Sequence, residues 1–225
     1  MTATAVLPVP CGFAERPGAV FAAVAGVSPL VRIVRVLEER CDVVVATAGL
    51  LAEAVREALV SQDFSRTRVV VSAPPGDRAQ CVAAALQGLA RGDRVVVHDI
   101  AWPMVGTDVL DRLASTLGDG AVAVMPAHPV TDSVKTVDAH GVLTSTLDRS
   151  QLRTVQYPRG FDAEVLTALL PPSGTGPFDE LEAALSAGVA ITFIAGDDEA
   201  LSVELPGDAD YLAALIEGRQ NLAGP

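Results

Sequence analysis

Lysine is almost absent from this chain. Lys135 is the single lysine among 16 basic residues, which face 28 acidic ones. The resulting net charge of −12 over 225 residues argues against nucleic-acid binding as the main task, because phosphate backbones require clustered basic charge. It also leaves any site for an anionic nucleotide dependent on a few well-placed cations. Cysteine is scarce as well. Cys11, Cys41 and Cys81 are odd in number, lie far apart and form no C-x-x-C pair. That pattern indicates neither a zinc site nor a disulfide framework, and buried free thiols are the expected state. No apolar run approaches the roughly 20 residues of a membrane-spanning helix. No basic segment precedes the apolar stretch in MTATAVLPVP, so no signal peptide is expected and the cytoplasm is the expected compartment.

What is present is a globular composition, 50% hydrophobic and 20% charged, enough for one sizeable α/β core. Short β-branched runs alternate with amphipathic stretches. Strands are expected at Ala5 to Val9, Asp42 to Ala46, Arg68 to Ser72 and around Val95. Helices are expected from Pro29, capped by Ser28, at Leu50 to Val60 and at Arg78 to Leu89. This β-α-β-α-β-α-β rhythm implies a parallel sheet with right-handed crossovers. A helix at Thr107 to Leu117, capped by Thr107 or Asp108, and a strand at Ala121 to Met125 follow. VKTVD and VLTSTLD, flanking Ala139-His140-Gly141, read as a hairpin. It either leaves the body to reach a partner or forms an edge on the same subunit. Helices at Asp162 to Leu170 and Asp179 to Ala187, a strand at Ala190 to Ile194 and a helix at Asp208 to Glu217 complete the chain, with the RQNLAGP tail frayed. No linker divides it, so residues 1–225 are expected to form one domain, with the hairpin arm inserted at about 129–158.

The organising stretch is Val95 to Pro103, VVVHDIAWP. Its valines suit a strand buried on both faces, and Pro103 cannot continue a central strand. Asp99 therefore stands at the carboxyl end of a buried strand, the edge where open α/β sheets bind ligands. It is the first candidate for a metal or phosphate-site residue. The alternative is a carboxylate that merely ends the strand. His98 reads as a packed or orienting histidine.

Four stretches resemble the 2-C-methyl-D-erythritol 4-phosphate cytidylyltransferase family of the non-mevalonate isoprenoid pathway. HDIAWP (98–103) is similar to H-D-A-A-R-P, and PVTDSVK (129–135) to P-V-T-D-T-[VI]-K. LDRSQLRTVQYPRGF (147–161) is similar to D-R-x-x-L-x-x-x-Q-T-P-Q-x-F, and GDDEALSVELPGD (196–208) to G-D-x-x-N-I-K-V-T-x-P-E-D. The resemblance implies a Rossmann-like nucleotidyltransferase fold: a predominantly parallel sheet with helices on both faces and a protruding β-hairpin that clasps a homodimer. It implies transfer of CMP from CTP to a polyol phosphate, with pyrophosphate leaving and Mg2+ as the cofactor of an active enzyme. Asp99 then takes the metal-side position and Arg16 stands in for the loop arginine, the two implied catalytic residues. Arg78 and Cys81 fall at nucleotide-contacting positions. Thr131, Asp132, Lys135 and Arg149 match the arm motifs that bind the acceptor phosphate across the dimer. As local chemistry, the same four residues equally suit turn stabilisers and solvated charges.

Several positions depart from the family pattern. The nucleotide loop A-A-G-x-G-x-R, followed by P-K, becomes PVPCGFAERPGAVFAAVAG, with Ala19 at the lysine. Pro10 lacks an N–H and Phe13 crowds the approach to a phosphate. Pro74-Pro75 replaces a Gly-Gly turn, Cys81 a serine and Trp102 an arginine. Ala200 and Ser202 replace an asparagine and a lysine, and the T-D-D segment is replaced near Pro177-Phe178. These losses imply a weakly active or inactive paralogue. The alternatives are a non-catalytic binding or regulatory dimer subunit, or a nucleotidyltransferase of altered substrate with Trp102 stacking on a ring.

Overall fold

A computed structural model describes residues 3–172 and 177–222. The strands are β1 (Ala3–Val9), β2 (Cys41–Thr47), β3 (Arg68–Val71), β4 (Arg94–Val97), β5 (Ala123–Pro129), β6 (Lys135–Val137), β7 (Leu143–Thr146), β8 (Arg153–Val155), β9 (Arg159–Asp162) and β10 (Thr192–Ala195). The helices are α1 (Gly18–Phe21), α2 (Pro29–Leu37), α3 (Ala52–Val60), α4 (Arg78–Leu86), α5 (Thr107–Gly118), α6 (Ala163–Leu169), α7 (Glu180–Ser186) and α8 (Ala209–Leu222).

The main sheet runs β10-β5-β9-β4-β1-β2-β3, with β8 added to β5. Strands β1, β2, β3 and β4 pair in parallel, as do β5 and β10. Side-chain alternation along the strands divides the core in two. Ala5, Leu7 and Val9 pack with α2, α3 and α5 on one face. Val6, Val44 and Val97 pack with α4 and α6 on the other. The third cluster joins Ala19 and Met104 to Val203, Leu205 and Leu212, so that α8 backs the carboxyl edge of the sheet.

The expected parallel sheet is corrected in one place. β9 lies between β4 and β5 and is antiparallel to both. Its sequence, RGFD, is too short and too polar at its ends to announce a buried strand. Gly160 lets α5 pack closely there, since a Cβ would lie 3.0 Å from Leu117 Cδ1 and 3.2 Å from Leu113 Cδ2 of α5. Other boundaries move. The helix from Pro29 stops at Leu37, α4 ends at Leu86, and the strand expected from Ala121 starts at Ala123 and runs to Pro129. Gly106, without a side-chain cap, precedes α5 in place of the expected Thr107 or Asp108 cap. α8 reaches Leu222, so the expected frayed tail is helical for its first four residues, and Ala223 to Pro225 lie outside the described residues.

The hairpin β6–β7 forms its own two-stranded sheet. Residues 137–151 are exposed throughout, including Val137, Val142, Leu143 and Leu147. Its turn is set by Asp138, whose Oδ1 accepts the His140 and Val142 N–H groups, each at 2.9 Å. All three cysteines are free; Cys41 and Cys81 are buried and Cys11 is half-buried.

Candidate nucleotide site

The strand order turns about β1: β2 and β3 lie on one side and β4 on the other. Such a switch point leaves a crevice over the carboxyl ends of the diverging strands. A pocket of about 350 Å³ occupies it, lined by Phe13, Arg16, Ala19, Arg78, Asp99 and Ser202, among others. The structure thus brings together Arg16, Arg78 and Asp99. It also brings Ala19 and Ser202, from opposite ends of the chain, to the same wall.

Each side chain is placed by local chemistry. Arg78 opens α4, whose start is fixed by a capping box: Asp77 Oδ1 accepts the Gln80 N–H at 2.8 Å and Gln80 Oε1 accepts the Asp77 N–H at 3.0 Å. Gly76, at φ +85°, sits so close to Ala48 that a Cβ would fall 2.5 Å from the alanine Cβ. The Gly76 carbonyl accepts the Cys11 N–H at 2.8 Å, tying the loop after β1 to the start of α4. Asp99 follows β4, and its Oδ1 accepts the Ala101 N–H at 2.8 Å. The Ala101 carbonyl in turn accepts the Val203 N–H at 2.8 Å, which anchors the 202–205 wall.

Arg78 is committed on three sides. Nη1 donates to Asp99 Oδ2 at 2.5 Å, Nε to Glu180 Oε1 at 2.8 Å and Nη2 to the Tyr157 hydroxyl at 3.0 Å. Glu180 is fully buried. Its Oε2 accepts from Tyr157 at 2.9 Å and from Arg159 Nη1 at 3.2 Å. Arg159 also donates to Asp179, at 2.9 and 3.0 Å, and lies 4.1 Å from the centre of the Tyr157 ring. Burial opposes the charge on Arg78, but Glu180, Tyr157 and Asp99 outweigh it and hold its pKa above the ordinary arginine value. Burial raises the Tyr157 pKa, with Glu180 and Asp99 adding to it against Arg78 and Arg159. Sequence reasoning missed Tyr157, Arg159, Asp179 and Glu180. Asp179 and Glu180 directly follow the divergent Pro177-Phe178, and only the helix-start pattern marked that place.

His98 is fully buried, with Nε2 2.8 Å from the Trp102 carbonyl oxygen. Burial lowers its pKa to about 4, so it is neutral at pH 7. Trp102 packs at 6.1 Å on Tyr157 and does not line the pocket. Cys81 lies in the core beneath it, 3.6 Å from Ser72 Oγ and 3.8 Å from the Gly76 carbonyl. Burial pushes its thiol up to about 11. Arg16 is exposed and stands 5.3 Å from the Phe13 ring centre.

Thr131, Asp132, Lys135 and Arg149 form a separate group at the hairpin, and none of them lines the pocket. Lys135 Nζ donates to Thr146 Oγ1 at 2.8 Å, and Arg149 donates to the Thr131 carbonyl. Neither cation has a carboxylate partner among the described residues.

The carboxylates do not fit the implied Mg2+ in this arrangement. Such an ion takes several oxygen donors in near-octahedral geometry, but no cluster of three or more acidic, histidine or cysteine side chains that could hold a metal occurs among the described residues, and the Arg78 guanidinium 2.5 Å from Asp99 Oδ2 already places a positive charge there.

A mostly parallel sheet with helices on both faces and an arginine-bearing pocket at its switch point define a Rossmann-like nucleotidyltransferase fold. Residues 14–217 match the family model of IspD, 2-C-methyl-D-erythritol 4-phosphate cytidylyltransferase. Curated proteins of that name are similar. The one from Frankia casuarinae is 35% identical over 176 residues, covering 78% of this chain and 64% of the relative. The one from Rhodococcus jostii is 35% identical over 149 residues, covering 66% of each. The matched region thus spans a little under two thirds of these two relatives' length. A crystal structure of 4-diphosphocytidyl-2C-methyl-D-erythritol synthase superposes with a TM-score of 0.77 at 27% identity, covering 96% of this chain and all of that one. The chain belongs to the 2-C-methyl-D-erythritol 4-phosphate cytidylyltransferase family. No helix among its described residues is long and apolar enough to cross a membrane.

Proposed function

We propose that this chain is a paralogue of the family in which cytidylyl transfer from CTP to a polyol phosphate is weak or lost, while the arm's recognition of the acceptor phosphate is kept. The observation that carries this reading is the state of Arg78: it lines the pocket, yet its charge is met by Asp99 and Glu180. The remaining pocket cation, Arg16, faces a wall where Ala19 and Ser202 stand at the positions for which the family resemblance implies lysines. Transfer of CMP requires a polyol phosphate oxygen to attack the α-phosphorus of CTP while pyrophosphate leaves. Charge builds on the leaving group and needs cations. A contact that strengthens in such a transition state supplies about 3–4 kcal/mol, or roughly 10²- to 10³-fold in rate, and such losses do not simply add.

The hairpin is the proposed homodimer arm. Its exposed Val137, Val142 and Leu143 support a partner surface. The packing of Trp102 on Tyr157 speaks against its stacking on a base. Pyrophosphate release from CTP and 2-C-methyl-D-erythritol 4-phosphate, with Mg2+, tests the reading. The expected result is turnover well below the ~1–10³ s⁻¹ typical of enzymes; turnover within that range would refute it. Sedimentation at micromolar concentration is expected to give a dimer mass, and a monomer would refute the arm.

A further inference from the structure

Arg78 is bracketed, not merely paired. Three nitrogens of one guanidinium each meet a different partner: Asp99, Glu180 and Tyr157, at 2.5, 2.8 and 3.0 Å. The bracket is only 15% exposed at Arg78 and fully closed at Glu180. Swinging Arg78 away would leave the buried Glu180 with Tyr157 and Arg159 alone, and an undercompensated buried charge is strongly unfavourable. Arginine keeps its charge at any physiological pH. A guanidinium offers five N–H donors, and three are used here. One hydrogen on each Nη is left for a further acceptor, and Arg78 lines the pocket.

We propose that Arg78 is the resident cation of this pocket: it takes the place of the divalent ion at Asp99, and the pocket accepts a phosphate monoester without metal. This deepens the proposed function and rests on the pocket being the family's nucleotide site. A ligand carrying one phosphoryl group brings less charge than a triphosphate and so suits a pocket whose two arginines, one of them already paired, share the lining with Asp99 and Glu204. The Asp99 carboxylate then acts as a positioning group for Arg78.

The test uses the full chain and two probes. The first is Mn2+, titrated by the loss of its free paramagnetic signal, against the wild type, Asp99→Asn and Arg78→Ala. The expected result is that Asp99→Asn changes Mn2+ binding by less than twofold, whereas Arg78→Ala gains a Mn2+ site that a further Asp99→Asn removes. A wild-type Mn2+ site weakened tenfold or more by Asp99→Asn would overturn the proposal. Should Arg78→Ala fail to fold, the comparison of wild type with Asp99→Asn decides alone. The second probe is CMP, titrated in EDTA and in Mg2+. Affinities within twofold of each other support the proposal, and binding that needs Mg2+, or none at millimolar CMP, overturns it. The two readings fail separately. Mn2+ held at Asp99 without CTP turnover breaks this inference alone, and efficient turnover with no Mn2+ at Asp99 breaks only the functional reading.

Discussion

The pocket and the arm treat their cations in opposite ways. In the pocket, Arg78 and, just behind it, Arg159 are met by Asp99, Asp179 and Glu180. On the arm, Lys135 and Arg149 touch only a hydroxyl and a carbonyl. A neutral oxygen satisfies a donor without cancelling its charge, so the arm's cations remain uncompensated while Arg78 already shares its charge with Asp99 and Glu180. The difference tracks the sequence. By the family resemblance, the arm keeps PVTDSVK nearly letter for letter, whereas the pocket loops depart from the family pattern at Pro10, Phe13, Ala19 and Ser202. Under the proposed function, the chain keeps the recognition of one substrate and turns the other half of the site into structural support.

The contrast is broken most severely at Glu180. Glu180→Ala leaves Arg78 and Arg159 with one carboxylate each, Asp99 and Asp179, in a buried setting and is expected to cost about 3 kcal/mol of stability, read from urea unfolding. Lys135→Ala on the exposed arm should stay within about 0.5 kcal/mol. Equal costs would erase the distinction.

The second effect concerns His98, beneath the pocket. Its folded pKa, about 4, lies below the ordinary value of about 6.5. The unfolded chain therefore binds the extra proton first. Stability from this residue is fully present above about pH 6.5 and is lost as pH falls toward 4, by up to about 3 kcal/mol. Chemical denaturation across that window should show the slope for the wild type and a flatter one for His98→Gln.

A smaller effect should convert one region toward the other. Ala19→Lys, Trp102→Arg and Ser202→Lys together restore cations at the positions where the resemblance implies them. Charge-assisted hydrogen bonds contribute about 1.5–3 kcal/mol, so CTP binding should tighten at least tenfold by calorimetry. No gain would mean that Pro10 and Phe13 have removed the backbone cradle itself. Least of all, Lys135→Ala should weaken the binding of a polyol phosphate by about 1 kcal/mol, and the wild-type affinity should fall with added salt.

Much of this was legible beforehand. The valine runs at Val43 to Val45, Val69 to Val71 and Val95 to Val97 announced strands, of which the middle one is a half-exposed edge, and Asp99 at the end of the last marked the crevice. Ser28 caps its helix as expected, and the helix expected from Asp162 starts there, with Asp162 as its cap. The hairpin was legible from its alternating residues and turn. β9 was not, because RGFD is short and its meaning depends on α5 above it. The clamp was not legible either. Arg78 and Glu180 stand 102 residues apart, and no local pattern links a helix-opening arginine to a helix-opening glutamate. Their pairing follows from β9 entering between β4 and β5, which carries Tyr157 and Arg159 to the same edge.

The central claim is that the nucleotide side is neutralised while the acceptor side is open. Parallel calorimetric titrations of the full chain with Mg2+ and CTP, and with 2-C-methyl-D-erythritol 4-phosphate, test it most directly. The account predicts salt-sensitive binding of the polyol phosphate and no micromolar binding of CTP. Micromolar CTP binding with Mg2+, and none of the polyol phosphate, would contradict it.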